Sequence, residues 1–61
     1  MIGVGTKFRI IPGKGHFWYE EFHDKILEVC EGYDPDHDQL PTMTDDGRTW
    51  FNCDAVEILE D

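Results

Sequence analysis

Apolar and polar residues alternate with the two-residue period of β-strands in several short segments of the chain. The clearest is residues 6–10, where Phe8 and Ile10 fall on one face. Further strands are predicted over residues 25–31, 40–44, 48–52 and 56–59. The residues predicted to face inward are Phe8, Ile10, Leu27, Val29, Phe51, Val56 and Ile58.

Turn signals separate these segments. Asp45-Asp46-Gly47 predicts a tight hairpin, because glycine supplies the positive φ that such turns need. Residues 52–55 predict a single turn of 3-10 helix before the last strand. Residues 16–24 are aromatic and acidic without a clean period, which indicates a long loop. A helix over residues 19–31 is the alternative, because several apolar residues there also sit at helical spacing.

Five short strands with one long early loop predict an all-β fold. The expected architecture is a small five-stranded barrel, formed as a single domain over residues 1–61. Closure into a barrel removes the exposed strand edges that so short a chain could not otherwise protect.

Two stretches resemble SH3-like domains. Residues 23–29 are similar to the Gly-Asp and apolar strand that follow the first SH3 loop, and residues 51–59 are similar to the SH3 C-terminal motif. The resemblance implies an SH3-like barrel. Two departures are Asn52 and Ala55, which stand where SH3 domains have the proline and tyrosine of their aromatic shelf. Binding of proline-rich peptides is therefore not expected, since that shelf holds the prolines.

Residues 4–11 and the C-terminal segment also resemble small SH3-like proteins encoded by bacteriophages and bacteria. This resemblance implies a phage-type accessory protein that binds, and in a stronger form inhibits, a host protein in the host cytoplasm.

Charge narrows the choice of partner. The 61 residues carry a formal net charge of −9, and residues 1–19 contain no acidic residue. Such a balance argues against direct binding to nucleic acid or to an anionic membrane, which both need a basic surface.

The sequence has neither a membrane-length apolar run nor a signal-like start, so a cytoplasmic location is expected. In that compartment Cys30 and Cys53 are expected to be free, structural thiols.

The sequence offers no convincing catalytic or metal-binding constellation. Asp34, Asp36 and Asp38 have the spacing of a calcium loop, but the position that needs glycine is Gln39, so a solvated acidic loop is the preferred interpretation. The histidines and cysteines lack the closely spaced pairs typical of zinc sites. A chain this short has no room for a water-excluding cleft, and we expect a non-enzymatic protein without cofactor or metal.

The aromatic and acidic loop is the best candidate for function. Exposed aromatic residues are common interface anchors, and an acidic rim favours a basic partner. The predicted partner-binding residues are Trp18, Tyr19, Glu20, Glu21 and Asp24. For Trp50, packing in the core and contact with a partner remain alternative roles.

The leading hypothesis is a monomeric protein-interaction module that binds a protein with a basic surface. The alternatives are a DNA-mimic inhibitor and an oligomeric assembly subunit that buries the Trp18 side against itself.

Overall fold

The computed structural model describes residues 2–59, so the ends of the predicted 1–61 domain, Met1, Glu60 and Asp61, lie outside the described residues. The strands are β1 (Lys7–Ile10), β2 (Leu27–Glu28), β3 (Gln39–Thr44), β4 (Gly47–Asn52) and β5 (Val56–Leu59), and two 3-10 helices span Phe17–Phe22 and Cys53–Ala55. The all-β prediction is confirmed, as is the 3-10 turn before the last strand.

The described strands form two antiparallel sheets and do not close into one hydrogen-bonded barrel. The first sheet has the order β2-β1-β5 and the second is the β3-β4 hairpin. Two hydrogen bonds join the sheets where β2 meets β3. The Cys30 N–H donates to the Pro41 carbonyl at 2.9 Å, and the Thr42 hydroxyl donates to the Glu28 carbonyl at 2.8 Å.

One hydrophobic core lies between the sheets. Its buried residues are Phe8, Ile10, Tyr19, Leu27, Val29, Leu40, Phe51, Ala55 and Val56. All the predicted inward residues are among them except Ile58, which is half-buried and packs against the cluster. The Phe51 ring is central, with Phe8 at 6.1 Å and Tyr19 at 4.9 Å between ring centroids in T-shaped contacts. Edge-to-face geometry is favoured because the positive ring edge meets the negative face of its neighbour.

The hairpin forms where the sequence predicts it, with Thr44 paired to Gly47. Gly47 has a φ of 110°, whereas neither aspartate of the turn has a positive φ. The left-handed residue therefore comes after the two turn residues, as in a glycine bulge, rather than inside a primed turn. The Thr44 hydroxyl donates to the Gly47 carbonyl at 2.9 Å and so stabilises the turn.

The aromatic segment differs from the predicted loop. Residues 17–22 form a 3-10 helix, and the His16 carbonyl accepts the Tyr19 N–H at 3.0 Å. The alternative helix over residues 19–31 is wrong, since Leu27 and Glu28 pair with β1. Strand β2 is much shorter than predicted, since only Leu27 and Glu28 pair with β1. Val29 then bonds the segment before β1, with its N–H donating to the Thr6 carbonyl and its carbonyl accepting the Gly5 N–H, both at 2.8 Å, and Cys30 bonds Pro41 of β3.

Candidate functional site

Trp18 is a partly exposed aromatic residue whose ring packs on the core. The residue is 36% exposed, and its ring centroid lies 4.5 Å from that of Tyr19 and 5.6 Å from that of Phe51. His16 stacks beside it, with the ring centroids 6.1 Å apart and an interplanar angle of 6°. The indole therefore has a fixed position before any partner arrives, which reduces the entropy lost on binding.

Tyr19 belongs to the core, although the sequence assigned it to the binding face. It is 1% exposed, and its hydroxyl oxygen accepts the backbone N–H of Asn52 at 2.9 Å. This bond ties the first 3-10 helix to the end of β4. The short helix turns Tyr19 inward, and the Trp18 ring packs against the Tyr19 ring.

The three predicted acidic contacts point to different parts of the surface. Glu20 accepts the Gly13 N–H at 3.4 Å and so leans towards the preceding loop. Glu21 lines a cleft beside the β3-β4 turn. Asp24 lines another cleft that also contains Arg9. These three carboxylates therefore lie in three different surroundings.

A different pair of carboxylates is connected to the aromatic group through Asn52. Asp38 and Asp54 line one cleft together with Asn52 and Cys53, and Asn52 is the residue bonded to the Tyr19 hydroxyl. Burial raises the pKa of the Cys53 thiol, and the negative charges of Asp38 and Asp54 raise it further. We group His16 and Trp18 with Asp38 and Asp54 as the Trp18 face, because Asn52 joins the cleft of the two aspartates to Tyr19, on whose ring Trp18 packs.

Sequence reasoning missed the acidic part of the Trp18 face because its two aspartates are distant in sequence. The Asp38 carbonyl accepts the Cys53 N–H at 2.8 Å, which brings the loop before β3 to the second 3-10 helix. No local pattern signals such a bond. The register of β3 against β4 sets it, with Gln39 opposite Asn52.

Two ion pairs compensate carboxylates of the three-stranded sheet, whereas Asp38 and Asp54 have no such partner among residues 2–59. Lys7 bonds Glu28 at 3.1 Å and Arg9 bonds Glu57 at 2.6 Å, both on the exposed side of the three-stranded sheet. Among residues 2–59, neither Asp38 nor Asp54 forms an ion pair. The Trp18 face therefore carries uncompensated negative charge, which would favour a basic partner.

His23 is the C-cap residue of the first 3-10 helix, and this position alters its pKa. Its Nδ1–H donates to the Glu20 carbonyl at 2.6 Å. This hydrogen bond raises the pKa of His23 above 6.5, slight burial opposes the shift, and the nearby Asp24 and Glu20 carboxylates add to it. Protonation of His23 therefore strengthens the closing contact of the helix.

The acidic loop before β3 is arranged by its own hydrogen bonds. The Asp36 N–H donates to the Asp34 carboxylate at 2.9 Å, and the His37 N–H donates to the Asp34 carbonyl at 3.0 Å. Across residues 2–59, no three histidine, cysteine or acidic side chains are placed to hold one metal ion. Cys30 and Cys53 are both free thiols.

Trp50 is half-buried and lies opposite Pro41 on β3, outside the core cluster.

Within the described part of the chain, no helix has the length and apolar character to cross a membrane.

Comparisons with protein-family models, with curated proteins and with solved structures give no match to this chain.

Proposed function

We propose that this protein is a non-enzymatic interaction module whose Trp18 face binds the basic surface of a partner protein. We further infer that its two sheets are the halves of a five-stranded SH3-like barrel. The shared core and the two hydrogen bonds between β2 and β3 support that arrangement.

The observation that carries the proposal is the fixed, partly exposed indole of Trp18. It combines 36% exposure with support from the Tyr19 and Phe51 rings. Tryptophan is enriched among residues that dominate binding energy, particularly where neighbouring groups exclude water around it. A merely exposed aromatic residue lacks this support, as Phe17 does at 89% exposure.

The unpaired carboxylates of Asp38 and Asp54 suggest the chemistry of the partner. Carboxylates beside an aromatic anchor complement arginine or lysine, and arginine also stacks on indole rings. The resemblance of the sequence to small phage-encoded proteins fits an accessory role in which the partner is a host protein. Repulsion between chains of net charge −9 favours a monomer.

Capture followed by measured affinity tests the proposal. Immobilised protein is used to capture partners from bacterial lysate, and the affinity of each purified partner is then measured by titration calorimetry. Trp18→Ala is expected to weaken binding about 30-fold, the loss of one hot spot of about 2 kcal/mol. Phe17→Ala is the control, because it removes an adjacent aromatic ring that lacks the support of the core.

The charges are tested separately. Asp38→Asn with Asp54→Asn should mainly slow association, and this effect should shrink as salt rises. The matched pair Glu20→Gln with Glu21→Gln removes the same charge from side chains that do not line the Asp38–Asp54 cleft. Equal effects of the two pairs, or normal binding by a folded Trp18→Ala protein, would contradict the proposed face. Competition for the captured partner by duplex DNA would instead support the DNA-mimic alternative.

Trp18→Ala has a structural effect that must be separated from binding. Because the indole packs on Tyr19 and Phe51, its removal is expected to lower the free energy of unfolding by about 1–2 kcal/mol. Urea unfolding followed by circular dichroism measures this change. Binding is then compared under conditions in which every variant is fully folded, and an unfolded variant is replaced by Trp18→Phe.

A further inference from the structure

The edge of β3 that faces β2 is only partly paired, because the backbone hydrogen bonds between the two strands stop after Cys30 and Pro41. Pro41 has no N–H, and its carbonyl accepts the Cys30 N–H, so the Pro41 backbone faces β2. Backbone direction alternates along an antiparallel strand. Met43, two residues further on, therefore presents its N–H and carbonyl to the same side.

Strand β2 does not continue along this edge. Extending the Cys30–Pro41 register would bring Glu28 opposite Met43. The Glu28 carbonyl instead accepts the hydroxyl of Thr42 at 2.8 Å, while Glu28 itself pairs with Lys7 of β1. A side-chain bond thus takes the place of the next ladder bond, and the strands separate beyond it.

A groove follows the open edge of β3. Two adjoining clefts share Leu27 and Met43 and together run from Cys30 to the hairpin turn. Ile26 is 67% exposed and Met43 is 61% exposed, so apolar side chains flank the edge. An unpaired strand edge with exposed apolar neighbours is a template for an added strand.

The charge of the groove selects its occupant. Glu21, Asp45 and Asp46 line its turn end, where Lys25 is the cationic lining residue among those described. The Lys25 ammonium lies 5.6 Å from the centre of the Phe22 ring. A second copy of this chain would bring a net charge of −9 to an acidic groove and would be repelled.

We propose that the β3 edge at Met43 accepts an extended, basic segment of a partner protein as an added strand. Backbone hydrogen bonds to Met43 fix the segment, its apolar residues contact Ile26 and Met43, and its cations meet Asp45 and Asp46. This surface is separate from the Trp18 face and does not depend on it.

Capped hexapeptides of alternating lysine and valine test the proposal, with nitrogen-15 amide shifts of the intact protein as the readout. Binding should shift the amides of Met43, Thr44 and Leu27 and slow hydrogen exchange at Met43. N-methylation of alternate peptide residues gives two variants, of which only one removes the hydrogens that face β3. That variant should bind at least about fivefold more weakly than the other, since it loses edge hydrogen bonds.

Three controls separate this surface from other sites. A glutamate-valine hexapeptide should not bind, and Asp45→Asn with Asp46→Asn should weaken the lysine-valine peptide. Trp18→Ala should bind it normally, so failure of the Trp18 face leaves the present proposal intact. Equal binding of both N-methylated peptides, or shifts centred on His16 and Trp18, would overturn it.

Discussion

The ring of Tyr19 leaves space for only a hydrogen atom at residue 15. A Cβ on Gly15 would overlap the Tyr19 ring and lie 3.1 Å from the Ala55 Cβ. The same ring supports Trp18 and bonds Asn52 through its hydroxyl. One side chain therefore couples the loop, the first 3-10 helix and the end of β4, and the position of the Trp18 face depends on it.

Gly15→Ala is expected to destabilise the protein more than Gly13→Ala. Both glycines have positive φ, 76° and 80°, so alanine carries a similar backbone cost of about 1–2 kcal/mol at each. Only at Gly15 does the added methyl group overlap a core ring, whereas nothing lies within 4 Å at Gly13. Urea unfolding of both variants measures the difference, and equal losses would show that Tyr19 is not packed as described.

The raised pKa of His23 makes the stability of the protein depend on pH. Its raised pKa means that the folded state binds the proton more tightly than the unfolded state does. The stabilisation is fully present below pH 6.5, the ordinary pKa, and is lost as the pH rises through the higher folded value. Proton NMR titration should place the His23 midpoint above 6.5. His23→Gln should flatten the decline in stability over that range, and an unchanged decline would assign it to another group.

At the scale of elements, the joint between β2 and β3 holds the two sheets together. Thr42 is 2% exposed, and its hydroxyl bond to Glu28 replaces a backbone bond at the point where the strands separate. Buried hydroxyl groups need partners because their desolvation is otherwise uncompensated. The same bond determines the open edge at Met43, so one hydrogen bond both joins the two sheets and leaves the β3 edge unpaired.

Thr42→Val is expected to lower the free energy of unfolding by about 1 kcal/mol, because the variant keeps the shape and loses the hydrogen bond. Thr49→Val is the matched control, since the Thr49 hydroxyl contacts that of Thr44 within the hairpin at 3.2 Å. Hydrogen exchange should become faster at Cys30 only for Thr42→Val. Faster exchange at Cys30 in both variants would mean that the hairpin, and not the joint, controls this contact.

For the whole molecule, acidic charge is the dominant feature. The two ion pairs of the three-stranded sheet engage Lys7 and Arg9, which leaves three cations, Lys14, Lys25 and Arg48, to offset the other acidic groups. Exposed ion pairs of this kind contribute little to stability. Repulsion among like charges destabilises the compact state, and salt screens it.

Salt is therefore expected to stabilise the protein. Raising sodium chloride from about 0.01 M to about 0.5 M shortens the screening length from about 30 Å to a few ångströms and should raise the Tm. Thermal unfolding followed by circular dichroism measures this effect. A Tm that falls with salt would mean that Lys7–Glu28 and Arg9–Glu57 outweigh the repulsion.

The sequence by itself determined the approximate positions of the strands, the hairpin and most of the core. Those features depend on local information: Phe8 and Ile10 alternate with polar residues, and Gly47 follows two turn-forming aspartates. Residues 17–22 lacked such a period, because a 3-10 helix with one buried residue presents no repeating face. Whether Tyr19 or Trp18 turned inward therefore could not be decided locally.

Only the tertiary structure decided which carboxylates share a cleft. The bond from Cys53 to Asp38 and the β3-β4 register bring Asp38 and Asp54 to one cleft, while Glu20 and Glu21 point elsewhere. The open edge at Met43 likewise depends on where β2 leaves β3. Strand periodicity reports which face of a strand is buried, but not which distant segment lies beside it, because that choice is made by packing of the whole core.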